Sequence, residues 1–396
     1  MNAHRRPGGP ALRALAVLAT TLVILSGCTG GPVLANAPVV RPAPAPTATP
    51  SARPADPIPV TLPADDAPHD RLTEWWYYTG HLRDDATGDR YGFEFVIFRA
   101  ERGDFPLTWA SHLAITDESG DRFLYAQRAA FGAPVDLRPA AGGFDLALLA
   151  QPLAAPSVAN PPWRMIGSGG HDRLVATATV AEAATAGSPG GLGLALQLEA
   201  QKPAVLHDGI GWIDFGPGGS SYYYSRTRMS AVGTITLDGR ALSVEGEAWF
   251  DHQWGDFIAV GGGGWDWFAV NLADGSDLTL SMVRDRTGAP TLVYGTYVAA
   301  DGATTHLPAD AFQVAVTAHW TSPRTGAVYP AGWHVTIPGQ ALSIDLSPTV
   351  ADQELDTRPT TGVVYWEGSQ VVHATRAGTP VAGEAYVELT GYASAP

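Results

Sequence analysis

Gly246–Phe257 reads GEAWFDHQWGDF, with Trp249, Trp254, His252, Asp251 and Asp256 in twelve residues. Read as a strand, its side chains alternate faces. Phe250, His252 and Trp254 then share one face, and Trp249, Asp251 and Gln253 the other. A histidine beside an indole on one face is costly to bury without a partner, so the pattern points to a lined cavity. Glu74-Trp75-Trp76-Tyr77-Tyr78, near the start of the folded region, has the same aromatic-acidic character.

Upstream of these strands the chain reads as an export signal and a tether. Arg5, Arg6 and Arg13 form a basic segment ahead of the apolar run Ala14–Leu25, which is too short to span a bilayer as a helix and fits a signal peptide. It ends in Leu25-Ser26-Gly27-Cys28, a pattern like a bacterial lipobox in which the cysteine is lipidated. Residues 1–28 are therefore expected to be a lipoprotein signal. Cys28 is the only cysteine, so no intramolecular disulfide can staple the exported chain. Residues 29–68 form a Pro/Ala-rich linker of polyproline character. These features place the protein in the cell envelope, held to a membrane through Cys28 and facing outside the cytoplasm.

Composition narrows the rest. Without Arg5, Arg6 and Arg13 the mature chain has 21 basic against 39 acidic residues, a net charge of −18, and Lys202 is its only lysine. Such a surface repels nucleic acid. Abundant glycine and proline, twelve tryptophans and few helical patterns indicate an all-β protein.

In order, strands are predicted at 74–81, 91–99 (YGFEFVIFR), 109–116, 122–127, 144–149, 174–180, 192–200 and 221–235. The second series runs through 242–254, 265–272, 278–284, 291–299, 311–320, 332–337, 342–346, 363–372 and 383–392. The segments LALLAQPLAAP and VAEAATAG have some helical character but are short and broken by Pro or Gly. In 221–235 the alternation puts Tyr222, Tyr224, Arg226 and Arg228 on one face. The two series echo each other: each opens on a Trp-rich strand carrying an acid and ends on a Tyr-centred strand. Each has the length of a small up-and-down barrel able to hold one ligand. The division is expected at 69–240 and 241–396. One large sandwich is the alternative.

The ordered set EWWYYTGHL, YGFEFVIFR, SHLAITD, YYYSRTRM, GEAWFDHQWGDF, GWDWFAVNLADG and AYVELTGY resembles the carotenoid 1,2-hydratase/AttH-like family, over nearly all of residues 69–396. The resemblance implies two tandem lipocalin-like β-barrels and a site for an apolar or isoprenoid-like small molecule. In hydratase members a His-x-Trp pair matters, and His252-Gln253-Trp254 matches it. Their chemistry is protonation of an isoprenoid double bond, stabilisation of the cation by an aromatic face and delivery of water by a base. Those members also share a Tyr-x-Asp on a following strand. The corresponding segment here, Leu278–Arg284, contains neither, and Asp277 and Asp285 only flank it. The acid would then be Asp251 or Asp266.

The candidate catalytic residues are thus Asp251, His252, Trp254 and Asp266, and the candidate ligand-binding residues Glu74, Trp76, His112, Tyr224, Arg226 and Trp265. Each has a structural reading beside the functional one. The indoles can plug a barrel, Arg226 and Arg228 can stack on aromatics or pair with Glu74, and His252 and His112 can be satisfied core histidines. No Gly-x-Ser-x-Gly elbow is present, so a hydrolase has no visible nucleophile. The sequence lacks His-Glu-x-x-His and a cysteine ligand set, so neither a zinc site nor any other metal is expected. Gly261–Gly264 reads as a loop rather than a dinucleotide turn, and no cofactor is implied. Three functions compete: a membrane-tethered carrier of an apolar molecule, a hydratase, and a structural envelope protein.

Overall fold

The computed structural model describes residues 55–132, 135–138, 142–149, 161–258 and 263–393. The signal segment, Cys28 and most of the linker lie outside the described residues. The first sheet has twelve strands: β1 (Thr73–Asp84), β2 (Arg90–Ala100), β3 (Thr108–Asp117), β4 (Arg122–Phe131), β5 (Phe144–Leu148), β6 (Trp163–Ser168), β7 (His171–Thr177), β8 (Leu192–Ala200), β9 (Val205–Leu206), β10 (Trp212–Asp214), β11 (Gly219–Leu237) and β12 (Arg240–Phe257). The second has eleven: β13 (Gly264–Leu272), β14 (Asp277–Arg284), β15 (Pro290–Val298), β16 (Thr304–Pro308), β17 (Gln313–Thr321), β18 (Val328–Ile337), β19 (Leu342–Pro348), β20 (Glu354–Asp356), β21 (Val364–Arg376), β22 (Thr379–Val381) and β23 (Gly383–Thr390).

Among the described residues every strand pairing is antiparallel. The first sheet runs β4-β3-β2-β1-β12-β11-β8-β7-β6-β5 and curls into a nearly closed barrel; the second runs β16-β15-β14-β13-β23-β21-β19-β18-β17 and forms a half-barrel. This is the two-barrel, lipocalin-like, all-β architecture expected from the sequence. At the seam of the first barrel Arg128, on β4, donates to the carbonyls of Leu148, Pro161 and Thr177 and pairs with Glu182. Its guanidinium lies 4.5 Å from the Trp163 ring centroid. Glu182 sits in α1 (Val180–Thr185), a short helix closed by a Thr179/Glu182 capping box. Helical character in VAEAAT therefore materialises despite its brevity, because the box satisfies backbone donors at the helix start.

The apolar character of both faces of β1 and β2 has one cause. Their inward side chains, including Trp76, Tyr78, Phe93, Phe95 and Ile97, fill the first barrel. Their outward ones pack against the second sheet, where Tyr77 and Val96, joined by Trp249 of β12, meet Trp267, Ala269 and Tyr386. Burying each Phe contributes roughly 1.5–3 kcal/mol. The sheets approach so closely at Gly92 that a Cβ there would lie 2.3 Å from Tyr386 Oη.

Three expectations need correction. The linker expected over 29–68 is packed structure at its described end: Asp66 is fully buried, accepts from Arg226 and Tyr224, and its carbonyl accepts from Trp76 Nε1. The division at 240/241 fails because Arg240–Phe257 belongs to the first sheet, between β1 and β11. Asp238 and Gly239 both have positive φ and join β11 to β12 by a two-residue turn, with Leu237 opposite Arg240; this is the tight hairpin such dipeptides favour. The shared face of Tyr222, Tyr224, Arg226 and Arg228 is also interrupted. A bulge between Arg226 and Met229 resets the alternation, so Met229 enters the barrel core while Arg228 turns to Glu247 and Asp277.

Candidate functional site

β12 is a wall between two regions, and its alternation divides the predicted residues between them. His252 and Trp254 point into the first barrel; Asp251 points into a cavity between the sheets.

Inside the barrel, β1 and β12 pair so that Trp76 lies opposite His252 and Glu74 opposite Trp254. His252 Nε2 is 2.9 Å from Glu74 Oε1, and His69 Nδ1 is 2.8 Å from the same oxygen. The His69 backbone N–H donates to Glu74 Oε2 at 2.9 Å. His69 lies flat on Trp254, with ring centroids 4.0 Å apart, and His252 stacks on Trp76 at 4.7 Å. Next to them Arg226 donates to both oxygens of Asp66 at 2.8 and 3.0 Å, and Tyr224 donates to the same carboxylate. Arg226 therefore pairs with Asp66, not with Glu74. Burial opposes ionisation of Glu74, but hydrogen bonds from His252 and His69 outweigh it and hold the carboxyl below its ordinary range. Burial likewise pulls down the His69 imidazole, yet Asp65 and Glu74 raise it overall. Burial lowers His252, with Glu74 a partial offset. Glu74, Trp76, Tyr224, Arg226, His252 and Trp254 thus form one packed interior cluster.

The cavity between the sheets has the opposite character. Trp75, Trp265, Trp267, Tyr77, Tyr223 and Tyr365 bound it, together with Asp251, Glu94 and Glu388. Among the described residues, none of its lining side chains is basic. Asp251 accepts from Trp249 Nε1 and Tyr223 Oη, both at 2.6 Å, and from Ser225 Oγ. Burial nevertheless pushes its carboxyl up to about 6. Glu388 accepts from Trp265 Nε1 at 2.9 Å, and burial pushes it up to about 7. Glu94 accepts from Tyr365 Oη at 2.7 Å on Oε1, while its Oε2 has no hydrogen-bond partner among the described residues. Burial, and to a lesser degree the Glu388 charge, push it up to about 8. Behind it Glu367 accepts from Tyr77 Oη at 2.6 Å, and burial with the neighbouring Glu94 holds it well above the carboxylate range. A buried carboxyl without a cation keeps its proton, and such groups can act as acids near neutral pH.

The other predicted residues fall as follows. Trp265 lines the cavity. His112 stands behind it, 2.7 Å from Tyr365 Oη through Nδ1 and 3.1 Å from Thr360 Oγ1 through Nε2, and burial pushes it down to about 3. Asp266 is on the opposite face of β13 from Trp265 and Trp267. It pairs with Arg284 at 2.8 Å and accepts from Tyr392; burial pushes it up to about 6 against the Arg284 charge. Asp277 is buried in a pair with Lys202 and Arg228, and Asp285 caps an exposed turn. Neither flanking acid lines the cavity. Sequence reasoning missed His69, Glu94, Glu367 and Glu388. The available signal for the three glutamates was a lone acid inside an otherwise apolar strand: FEF, YWEG and YVELT.

A family model described as AttH-like matches residues 53–392. Among solved structures, an AttH protein of Nitrosomonas europaea superposes with a TM-score of 0.71 at 30% identity, covering 86% of this chain and 99% of that one. Kievitone hydratase of Nectria haematococca superposes with a TM-score of 0.63 at 16% identity, over 84% and 93%. CghA in complex with Sch210972 gives 0.53 at 13%, over 86% and 96%. The last two likenesses are of fold. No curated protein matches the sequence.

Proposed function

This chain belongs to the AttH-like family, and from that premise we propose that it is an exported, membrane-tethered protein that binds an apolar or isoprenoid-like small molecule between its two sheets. The observation that carries this reading is the cavity's lining. Indole and phenol faces supply apolar contact, and three carboxyls whose pKa values burial raises supply a few polar contacts, the mix that suits small-molecule sites. The first barrel's own interior is filled by large side chains. Native mass spectrometry and solvent extraction of the purified full chain test the reading. One apolar molecule per chain, displaced by an offered carotenoid or isoprenoid, is expected. A chain that arrives bare and takes up neither lipid nor carotenoid would leave a structural envelope role. The tether is tested separately: Cys28→Ser is expected to release the protein from the membrane fraction, and continued retention would count against lipidation.

A second reading, hydration of an isoprenoid double bond, is favoured by the carboxyls that burial keeps protonated. A carboxyl such as Glu388 or Glu94 gives its proton to one alkene carbon. The resulting cation lies against indole faces, water adds to it, and the water's extra proton returns to the carboxylate. Atoms and charge then balance with no cofactor. Incubation with an acyclic isoprenoid should yield a product heavier by one water, and Glu94→Gln should slow its formation while ligand is still bound. Unchanged turnover in Glu94→Gln and Glu388→Gln alike would remove these acids from the mechanism.

A further inference from the structure

The interior cluster holds a donor set that no linear motif announces. From its geometry we propose that His69 Nδ1, Glu74 and His252 Nε2 form a binding site for a divalent transition-metal ion such as zinc. The three ligand atoms lie within 4.8 Å of one another, with the two imidazole nitrogens 2.8 and 2.9 Å from Glu74 Oε1. A tetrahedral ion with N and O ligands at about 2.0–2.2 Å holds those atoms roughly 3.3–3.6 Å apart. The two carboxylate contacts need to open slightly and the imidazoles to draw together. His69 can supply that movement, because it lies in the loop before β1 rather than in a strand.

Three further observations fit an ion at this place. The second nitrogen of His69 faces Asp65 Oδ1 at 3.5 Å, the carboxylate-histidine arrangement that orients metal ligands. Stacking on Trp254 and Trp76 fixes both imidazole planes, so little rotamer entropy remains to be lost. Glu74 pairs with His69 and His252, and Asp65 pairs with His69. A divalent ion would neutralise these two carboxylates while both imidazoles stay neutral. Access is one-sided: Glu74 and His252 are fully buried, whereas His69 and Asp65 are 20% and 30% exposed. Solvent therefore reaches the donor set from the His69 side. Two imidazoles and one carboxylate favour zinc, cobalt, nickel or copper over magnesium or calcium. The site is separate from the cavity between the sheets and does not depend on the function proposed for it.

The test is titration of the full chain, first stripped with a chelator, with Co²⁺ alone and then Zn²⁺. It is read by cobalt ligand-field absorption, metal content and thermal unfolding. One equivalent of Co²⁺ with a tetrahedral spectrum, displaced by Zn²⁺, is expected, together with a Tm that rises with metal concentration. His69→Phe keeps a ring on Trp254 and removes one ligand; it should abolish the cobalt spectrum and the metal-dependent rise in Tm. Asp65→Asn, on the exposed side, should weaken binding by about 10- to 100-fold. A stripped wild-type chain that takes up no stoichiometric metal overturns the proposal. Undiminished uptake by either variant overturns it too, since it would assign the metal to other histidines. Should His69→Phe fail to fold, Asp65→Asn and the wild-type stoichiometry still decide the matter.

Discussion

The two sides of β12 solve the same problem in opposite ways. Each buries carboxyl groups among aromatic rings. In the first barrel every such group in the cluster has a basic partner: Asp66 has Arg226, and Glu74 has His69 and His252. In the cavity Asp251, Glu94 and Glu388 have only hydroxyl and indole donors. Adjacent residues of one strand thus belong to two electrostatic regimes. The paired Glu74 is held below its ordinary range and fixes structure; the unpaired Glu94 and Glu388 are pushed up, to about 8 and about 7, and remain available to a ligand as acids. What separates a scaffold from a site here is the placement of cations, not the amount of burial.

The sharpest way to break this contrast is to remove a cation from the paired side. Arg226→Met leaves Asp66 buried and uncompensated and should cost about 3–5 kcal/mol, read as a fall in the denaturation midpoint. A loss below about 1 kcal/mol would mean that the interior does not depend on charge pairing. Glu74→Gln should cost about 1.5–3 kcal/mol, because hydrogen bonds to a charged acceptor are lost and an amide N–H₂ is turned toward imidazole N–H groups. The isosteric change on the other side, Glu94→Gln, should shift stability by less than about 1 kcal/mol at pH 5, where the carboxyl is already neutral. A larger cost would place Glu94 in the paired class.

Dependence on pH sharpens the same comparison. Glu94, Glu388 and Asp251 have folded-state pKa values of about 8, 7 and 6, above their ordinary values. The folded protein therefore binds more protons than the unfolded chain between those limits. Stability should fall as pH rises from about 4.5 toward 8, and Glu94→Gln should flatten the upper part of that limb in thermal melts. Glu74 acts in the opposite sense. Its pKa is depressed, so its contribution is present above the ordinary carboxyl value and disappears as pH falls through the folded value. A wild-type profile that keeps rising to pH 8 would contradict protonated cavity acids. A comparably small effect is expected for Asp266→Asn. It loses the charge paired with Arg284, which keeps its bond to the Thr390 carbonyl, at a cost of about 1 kcal/mol, with no change in ligand retention, because Asp266 turns away from the cavity.

Much of this was legible in the chain. The period-two alternation of Phe250, His252 and Trp254 against Trp249, Asp251 and Gln253 correctly put the members of each set on one face. The doubly apolar strand YGFEFVIFR signalled burial on both sides. What the alternation does not carry is which surface each face meets, so the sequence groups Asp251 and His252 as one candidate site although they face opposite sides of a sheet. The half-way division was misplaced because similarity between the Trp-rich strands outweighed a local signal, the Asp238-Gly239 hairpin that binds β12 to β11. The face of Arg228 was lost to a bulge, which leaves no sure mark in sequence. The His69–Glu74–His252 cluster escaped for a different reason: its members come together only when β1 meets β12.

That meeting has a kinetic side. Glu74 and His252 touch although 178 positions separate them, and β1 sits in mid-sheet with β2 and β12 as its neighbours. As the chain emerges, β1–β4 can zip into successive hairpins, but the barrel cannot close until Phe257 has arrived. Loop closure over such a span is slow. Through that interval, and until β13–β23 follow, the outward Trp75, Tyr77 and Phe98 stand uncovered on a growing sheet with an unpaired edge at β1. The nascent chain is most prone to aggregation in that window, so holdase chaperones should engage the first half of this protein more than the second.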